Sequence, residues 1–330
     1  MENIDWVPSS DLIMQRFPAI LARTFCESGK REKGKTGNKK NLLFSSRGRT
    51  YTQKGVPLSR GGEVFSRGEV QVGVTLRKEA MSILEIRDLS KHFGQVAALS
   101  HITLSVRPGE ITSLIGPNGA GKTTFYNVVT GKFPPTSGTI LFKGEEITRL
   151  PAFKIWKKGI SRSFQITNIF KRLTVLENIR SALIIHTGKS LNFFRPVDYF
   201  DDLFDRSMQI LKLIGLEDKK DMPCQAISHG DMRIVEVGIV LASEPQLVFL
   251  DEPTAGMNPE ETRRMVGLIR NLFETTGTTF FLTEHDMNVV FSISHRIVVL
   301  NFGKILADGT PEEIRRNEEV RKAYLGGFQG

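Results

Sequence analysis

The chain has 330 residues, 40% of them hydrophobic and 25% charged, enough for one large or two small domains with a real core. Its formal charge of +9 is uneven: 15 of the 45 Lys and Arg and 8 of the 36 Asp and Glu precede Met81. The remainder, with 30 basic against 28 acidic residues, is not expected to bind nucleic acid. Two cysteines, Cys26 and Cys224, belong to no Cys-x-x-Cys or Cys/His cluster, a usage that fits a reducing cytoplasm.

Residues 1–80 open with Asp11 to Phe25, which could form a helix, and continue through KREKGKTGNKK and repeated Ser-Arg-Gly units. Such a stretch buries too little apolar surface to offset the entropy of ordering it, so disorder is expected from Ser28 to Glu79. Asp5, Asp11 and the prolines spoil a signal-peptide pattern. A further reading is a translated leader: Arg77-Lys78-Glu79 can be encoded as AGG-AAG-GAG, a ribosome-binding sequence, just before Met81, where the folded pattern begins.

From Ile83, ILEIRDL and VAALSHITLSV read as strands with Lys91-His92-Phe93-Gly94 between them, and Arg107-Pro108-Gly109-Glu110 is a turn. ITSLI, Ile111 to Ile115, is a short buried strand. GPNGAGKTT follows, and Thr123 to Gly131 reads as a helix. The match to G-x-x-x-x-G-K-[ST] therefore sits in the strand-loop-helix context of a phosphate-binding loop. Its glycines let the backbone curl so that successive N–H groups point inward at phosphate, with the helix dipole adding to the field, and the phosphate-binding stretch is Gly116, Pro117, Asn118, Gly119, Ala120, Gly121, Lys122, Thr123 and Thr124. Lys122 would reach the terminal phosphates, and the Thr123 hydroxyl would meet Mg²⁺.

After a Pro134 to Gly138 turn, TILFKGEEI reads as a hairpin strand. Pro151 to Leu216 is richer in helical patterns, notably Thr174 to Ile185 and Leu203 to Leu216, separated by an aromatic loop at Phe193, Phe194 and Pro196. A helical subdomain over about residues 151–243 is expected. Its most apolar stretch, Ile234 to Leu250, is interrupted by Glu236, Glu244 and Pro245, so no run approaches the roughly 18 residues a membrane span needs. LVFLDE, Leu247 to Glu252, reads as a parallel strand buried on both faces and ending in two carboxylates. Asn258 then Pro259, Glu260 and Glu261 are a helix start, and Gly277 its stop. TTFFLTEH is the next strand, and HRIVVLNFGKILADG forms two strands around Phe302-Gly303.

The order of these features, an aromatic segment, the phosphate loop, SRSFQ, ISHGDMR, LVFLDEP, AGMN and TEHD, resembles the ATP-binding subunit of an ATP-binding cassette (ABC) transporter from Met81 to about Gly327. AGMNPEET, EHDM, ADGTPEEI and AYLGG are similar to subunits that energise branched-chain amino acid importers. The resemblance implies an α/β P-loop NTPase core with a mostly parallel sheet, an antiparallel β subdomain and a helical subdomain. It also implies ATP and Mg²⁺ as ligands. Phe93 would stack on adenine; Gln165 would touch Mg²⁺ and the attacking water while sensing the membrane partner; Asp251 would hold Mg²⁺ through water. Glu252 would be the general base and His285 would hold the γ-phosphate. Ser228 and Gly230 would meet the γ-phosphate of the opposite subunit.

Two departures stand out. His229 and Asp231 replace the Gly and Gln of the common LSGGQ signature, and Asn258 stands where Asp is usual. The implied partners are a second, non-identical cassette, integral membrane permease subunits and, indirectly, a periplasmic solute-binding protein, with this chain peripheral on the cytoplasmic face of the membrane. Rival readings are a urea or other polar-solute importer, a soluble ABC ATPase acting on nucleic acid or ribosomes, and a non-hydrolysing regulatory subunit. The last is disfavoured by Glu252 and His285.

Overall fold

A computed structural model describes residues 82–163, 169–188 and 201–325. The 1–80 extension, including the stretch Asp11 to Phe25 that could form a helix, Gln165, and the stretch with Phe193, Phe194 and Pro196 lie outside the described residues.

Two sheets carry the fold. The first is antiparallel, with order β2-β1-β4-β5, built from β1 (Leu84–Phe93), β2 (Val96–Val106), β4 (Ser137–Phe142) and β5 (Glu145–Glu146). β1 runs through Lys91 to Phe93, which the sequence reading placed between strands; register shifts along β1 and β2 keep the pair together up to Phe93 opposite Val96. The second sheet has order β10-β9-β3-β8-β7-β6, from β3 (Ile111–Ile115), β6 (Ile160–Arg162), β7 (Leu247–Asp251), β8 (Thr279–Thr283), β9 (Arg296–Asn301) and β10 (Lys304–Gly309). All its pairs are parallel except β10 with β9. β6 is only three residues long and sits inside a stretch otherwise richer in helical patterns.

Period-two alternation divides the second sheet between two cores. Leu247, Phe249 and Phe281 point to the side of α1 (Lys122–Val129) and the antiparallel sheet, where Phe125 stacks on Phe281 with centroids 5.6 Å apart. Val248, Leu250, Phe280 and Leu282 point to the other side, among the residues of α3 (Val175–His186), α4 (Asp201–Ile214), α5 (His229–Leu241) and α6 (Pro259–Thr276). The short α2 (Ala152–Lys157) precedes β6. At the far edge, α7 (Met287–Ile293) and α8 (Pro311–Arg316) close a third cluster over Ile297 and Val299.

The helix ends follow their sequences. Thr174 caps α3 and Asn258 caps α6, each in a capping box with the glutamate three residues on, and α6 ends at Gly277. Tyr126, fully buried on α1, donates its hydroxyl to Leu250 O at 3.1 Å and Phe281 O at 3.0 Å, tying that helix to β7 and β8. Burial holds the phenol well above its ordinary pKa, so it remains a donor.

Candidate active site

Parallel strands all expose their C-terminal ends at one edge of a sheet, and in an open α/β sheet that edge is where ligands bind. Here β3 runs into the 116–121 loop. α1 begins with no side-chain cap and no acidic residue in its first turn, so the orphan amides of that turn are left to an anion. The Lys122 ammonium folds back over the loop, donating to Gly116 O at 2.6 Å and Pro117 O at 3.1 Å. Burial pushes its pKa below the ordinary lysine value, opposed by the nearby carboxylates of Glu252 and Asp251.

β7 delivers those carboxylates. Asp251 is buried; its Oδ1 accepts the Thr283 hydroxyl at 2.7 Å and its Oδ2 accepts Arg162 Nη2 at 2.8 Å. The same guanidinium donates to Asn127 Oδ1 at 2.7 Å and lies 5.3 Å from the Tyr126 ring centre. A cation of the chain itself thus answers a charge for which the sequence reading supplied only Mg²⁺. Glu252 follows in the left-handed region, with φ 49, and its amide donates to Thr283 O at 3.1 Å. Such a conformation costs on the order of 1–3 kcal/mol for a residue with a Cβ and persists only where its surroundings enforce it. Glu252 Oε1 lies 2.8 Å from Nε2 of His285, which follows β8 and is about half exposed. The structure thus brings together Lys122, Asp251, Glu252 and His285.

Phe93 ends β1, 45% exposed, edge-on to Phe133 at 5.7 Å and with Lys91 Nζ 4.9 Å from its centroid. The hairpin it belongs to touches the phosphate loop: Gly121, at φ +106, lies so close to β2 that a Cβ there would stand 2.6 Å from Ala98 O. Thr123 is exposed in the first turn of α1, and Thr124 is half-buried.

The signature segment is built separately. Ser228 caps α5, its Oγ accepting the Asp231 amide at 3.0 Å, and Ser228 and His229 are exposed. The Gly230 amide donates to Glu261 Oε1 at 3.1 Å, in a contact so close that a Cβ would come within 2.6 Å of that oxygen. Glu261 Oε2 accepts the Asn258 amide at 3.1 Å, and these N–H groups, Asn258 first, hold the carboxyl below its ordinary pKa. Asn258 accepts the Glu260 and Glu261 amides at 2.9 and 3.0 Å, a capping role that Asn fills as well as Asp. Asp231 turns inward to Lys219 at 2.6 Å and Arg264 at 3.0 Å, so this departure braces its own chain. Among the described residues, no hydrogen bond or ion pair joins Ser228 to Lys122, Glu252 or His285.

Sequence reasoning assigned no role to Arg162, Glu284 or Tyr126, and read Glu261 only as part of a helix start. Arg162 stands in SRSFQ and Glu284 in TEHD, so position within a motif was the available signal. Among the described residues no group of three or more His, Cys, Asp or Glu could cage a metal. Mg²⁺ keeps waters and substrate phosphates and takes only one or two protein oxygens; the Thr123 hydroxyl and the Asp251 carboxylate are oxygens of the kind that could hold it. No described helix is long and apolar enough to cross a membrane.

The family model described as "ABC transporter" matches residues 99–255, and one described as "Branched-chain amino acid ATP-binding cassette transporter" matches residues 304–328. Over 252 residues, 74% of this chain and 98% of the relative, the sequence is 39% identical to the high-affinity branched-chain amino acid transport ATP-binding protein LivG of Escherichia coli K12. The chain belongs to the ABC transporter family. This cassette is also 40% identical, with the same coverage of both chains, to the high-affinity branched-chain amino acid transport ATP-binding protein BraF of Pseudomonas aeruginosa. Its fold matches the crystal structure of an ABC transporter cassette in its ADP conformation with TM-score 0.67 at 28% identity, covering 74% of this chain and 99% of that one.

Proposed function

We propose that this cassette binds and hydrolyses ATP to power an importer of branched-chain amino acids, and that Lys122, Asp251, Glu252 and His285 form its half of a composite site. The observation that carries the reading is the Glu252 Oε1 to His285 Nε2 contact of 2.8 Å, at the strand ends beside the phosphate-loop lysine. Phosphoryl transfer asks the protein for positioning and charge neutralisation around an in-line water. The loop amides and Lys122 hold the phosphates, and Lys122 exchanges its present partners, Gly116 O and Pro117 O, for phosphate oxygens. Phe93 offers a ring face to the base. Glu252 takes the proton of the attacking water, and His285 holds Glu252 and the γ-phosphate in line. Mg²⁺, held through Thr123, Asp251 and Gln165, would neutralise charge on the phosphates.

Ser228 and Gly230 would close the γ-phosphate of a second, non-identical cassette; among the described residues no hydrogen bond joins them to Lys122 or Glu252 of this chain. ATP would then join two cassettes head to tail and hydrolysis would release them. Permease subunits would dock on the helical block near Gln165 and Leu173 to Glu177. The Asn178 side chain there accepts the Phe170 amide and donates to the Phe170 carbonyl, and Phe170 is 62% exposed. This cassette would thus be peripheral on the cytoplasmic face, serving a periplasmic binding protein only indirectly. The names of the relatives and the residue 304–328 match support the amino acid cargo.

The test compares two variants. Glu252→Gln should bind Mg-ATP normally and lose about 10² to 10⁴-fold in turnover, the usual contribution of general-base help. Lys122→Ala should lose binding itself. Near-normal hydrolysis by Glu252→Gln at saturating Mg-ATP would sink the assignment of the base.

A further inference from the structure

Glu284 lies between β8 and His285 and is 3% exposed. Burying a carboxylate is costly unless its oxygens are satisfied. Here Oε1 accepts the Thr254 amide at 2.8 Å and the Thr254 hydroxyl at 2.7 Å, and Oε2 accepts the His285 amide at 3.2 Å. Burial raises its pKa above the ordinary carboxyl value, against the pull of these three donors.

The placement of these donors matters. Thr254 is two residues beyond Glu252, on the loop leaving β7, while His285 begins the loop leaving β8. One carboxyl group therefore grips both loops that carry the contact between Glu252 and His285. Glu252 also needs such a grip: its left-handed backbone is pinned on one side by its amide bond to Thr283 O, and on the other by Thr254 bonding to Glu284.

We infer that Glu284 is a positioning residue for hydrolysis, keeping the Glu252 carboxylate against the His285 imidazole by holding Thr254 and the His285 amide with its two oxygens. This rests on the assignment of Glu252 and His285 to the hydrolytic step. Misplacement by about 1 Å can cost on the order of 10²-fold in rate without touching the substrate. Loss of Glu284 should therefore act on kcat and leave ATP binding alone.

The experiment uses the full chain assembled with its transporter subunits for Mg-ATP hydrolysis, and the lone full chain for ATP affinity and melting. Glu284→Gln keeps an oxygen for Thr254 but turns an amide N–H₂ toward the His285 N–H. Thr254→Val removes the hydroxyl arm at nearly constant shape. For Glu284→Gln we expect kcat to fall about 10- to 100-fold with KM and affinity within about twofold of wild type, and for Thr254→Val a smaller fall in kcat alone. Added to Glu252→Gln, Glu284→Gln should lower the residual rate much less than it does alone, because there is no base left to position. Turnover near wild type in both Glu284→Gln and Thr254→Val, with Glu252→Gln inactive, would overturn the inference. So would parallel losses of affinity, melting temperature and rate, additive with Glu252→Gln, which would make Glu284 a structural strut. If Glu252→Gln itself hydrolysed ATP normally, the underlying assignment would fall and the inference with it.

Discussion

Replacing Arg162 with methionine would leave the Asp251 carboxylate in a nearly dry site with the Thr283 hydroxyl as its remaining side-chain donor. The two members of this ion pair are 10% and 6% exposed, so water cannot take the place of the guanidinium. Removing one partner of a buried pair costs about 3–5 kcal/mol, far more than the pair adds over a well-packed apolar substitute. In a folded body of roughly 250 residues each kcal/mol moves the midpoint by about 2–4 °C, so Arg162→Met should melt roughly 6–20 °C below wild type. The double variant Arg162→Met with Asp251→Asn carries no orphaned charge and should recover at least part of that loss. Thermal melting of the lone chain without nucleotide decides it. If Arg162→Met melted within about 2 °C of wild type, less than about 1 kcal/mol, or if the two substitutions destabilised additively, Arg162 would not be the cation that pairs with the Asp251 carboxylate at the end of β7.

Ser228→Arg should leave ATP affinity of the lone chain intact and abolish hydrolysis in the assembled transporter; lost affinity in the lone chain would put Ser228 in its own site or in the support of the fold. Asp231 sits below the ordinary aspartate pKa although burial alone would raise it, because Lys219 and Arg264 favour its ionised form. A carboxyl lowered in this way adds stability above its unfolded value and loses it as pH falls through the folded value. Wild type should therefore lose stability more steeply than Asp231→Asn below about pH 4, and parallel acid-melting curves would refute the pairing. A chain starting at Met81 should match the full chain in melting temperature and ATPase activity, since LivG is matched over 98% of its length within 74% of this chain; a drop of several degrees would show that residues 1–80 pack on the cassette.

Much of the molecule was legible in the linear sequence. The phosphate loop is contiguous. LVFLD and TTFFLT declare buried strands by composition, and Asn258-Pro259 declares a helix start, because propensity, capping and period act within a few residues. Where the motifs meet is a different question. Glu252 and His285 are 33 residues apart and Arg162 and Asp251 are 89 apart, and nothing local in either segment says that parallel pairing of β6, β7 and β8 will set their ends side by side. Asp251 in the sequence is a carboxylate in search of a cation; only the fold shows that Arg162 is one. Glu284 in the sequence is a motif letter; only burial, and the arrival of Thr254 from the neighbouring strand, make it the group that joins both loops. Hydrophobic period and turn chemistry specify elements, whereas the partners of a buried charge are chosen by chain closure between distant segments.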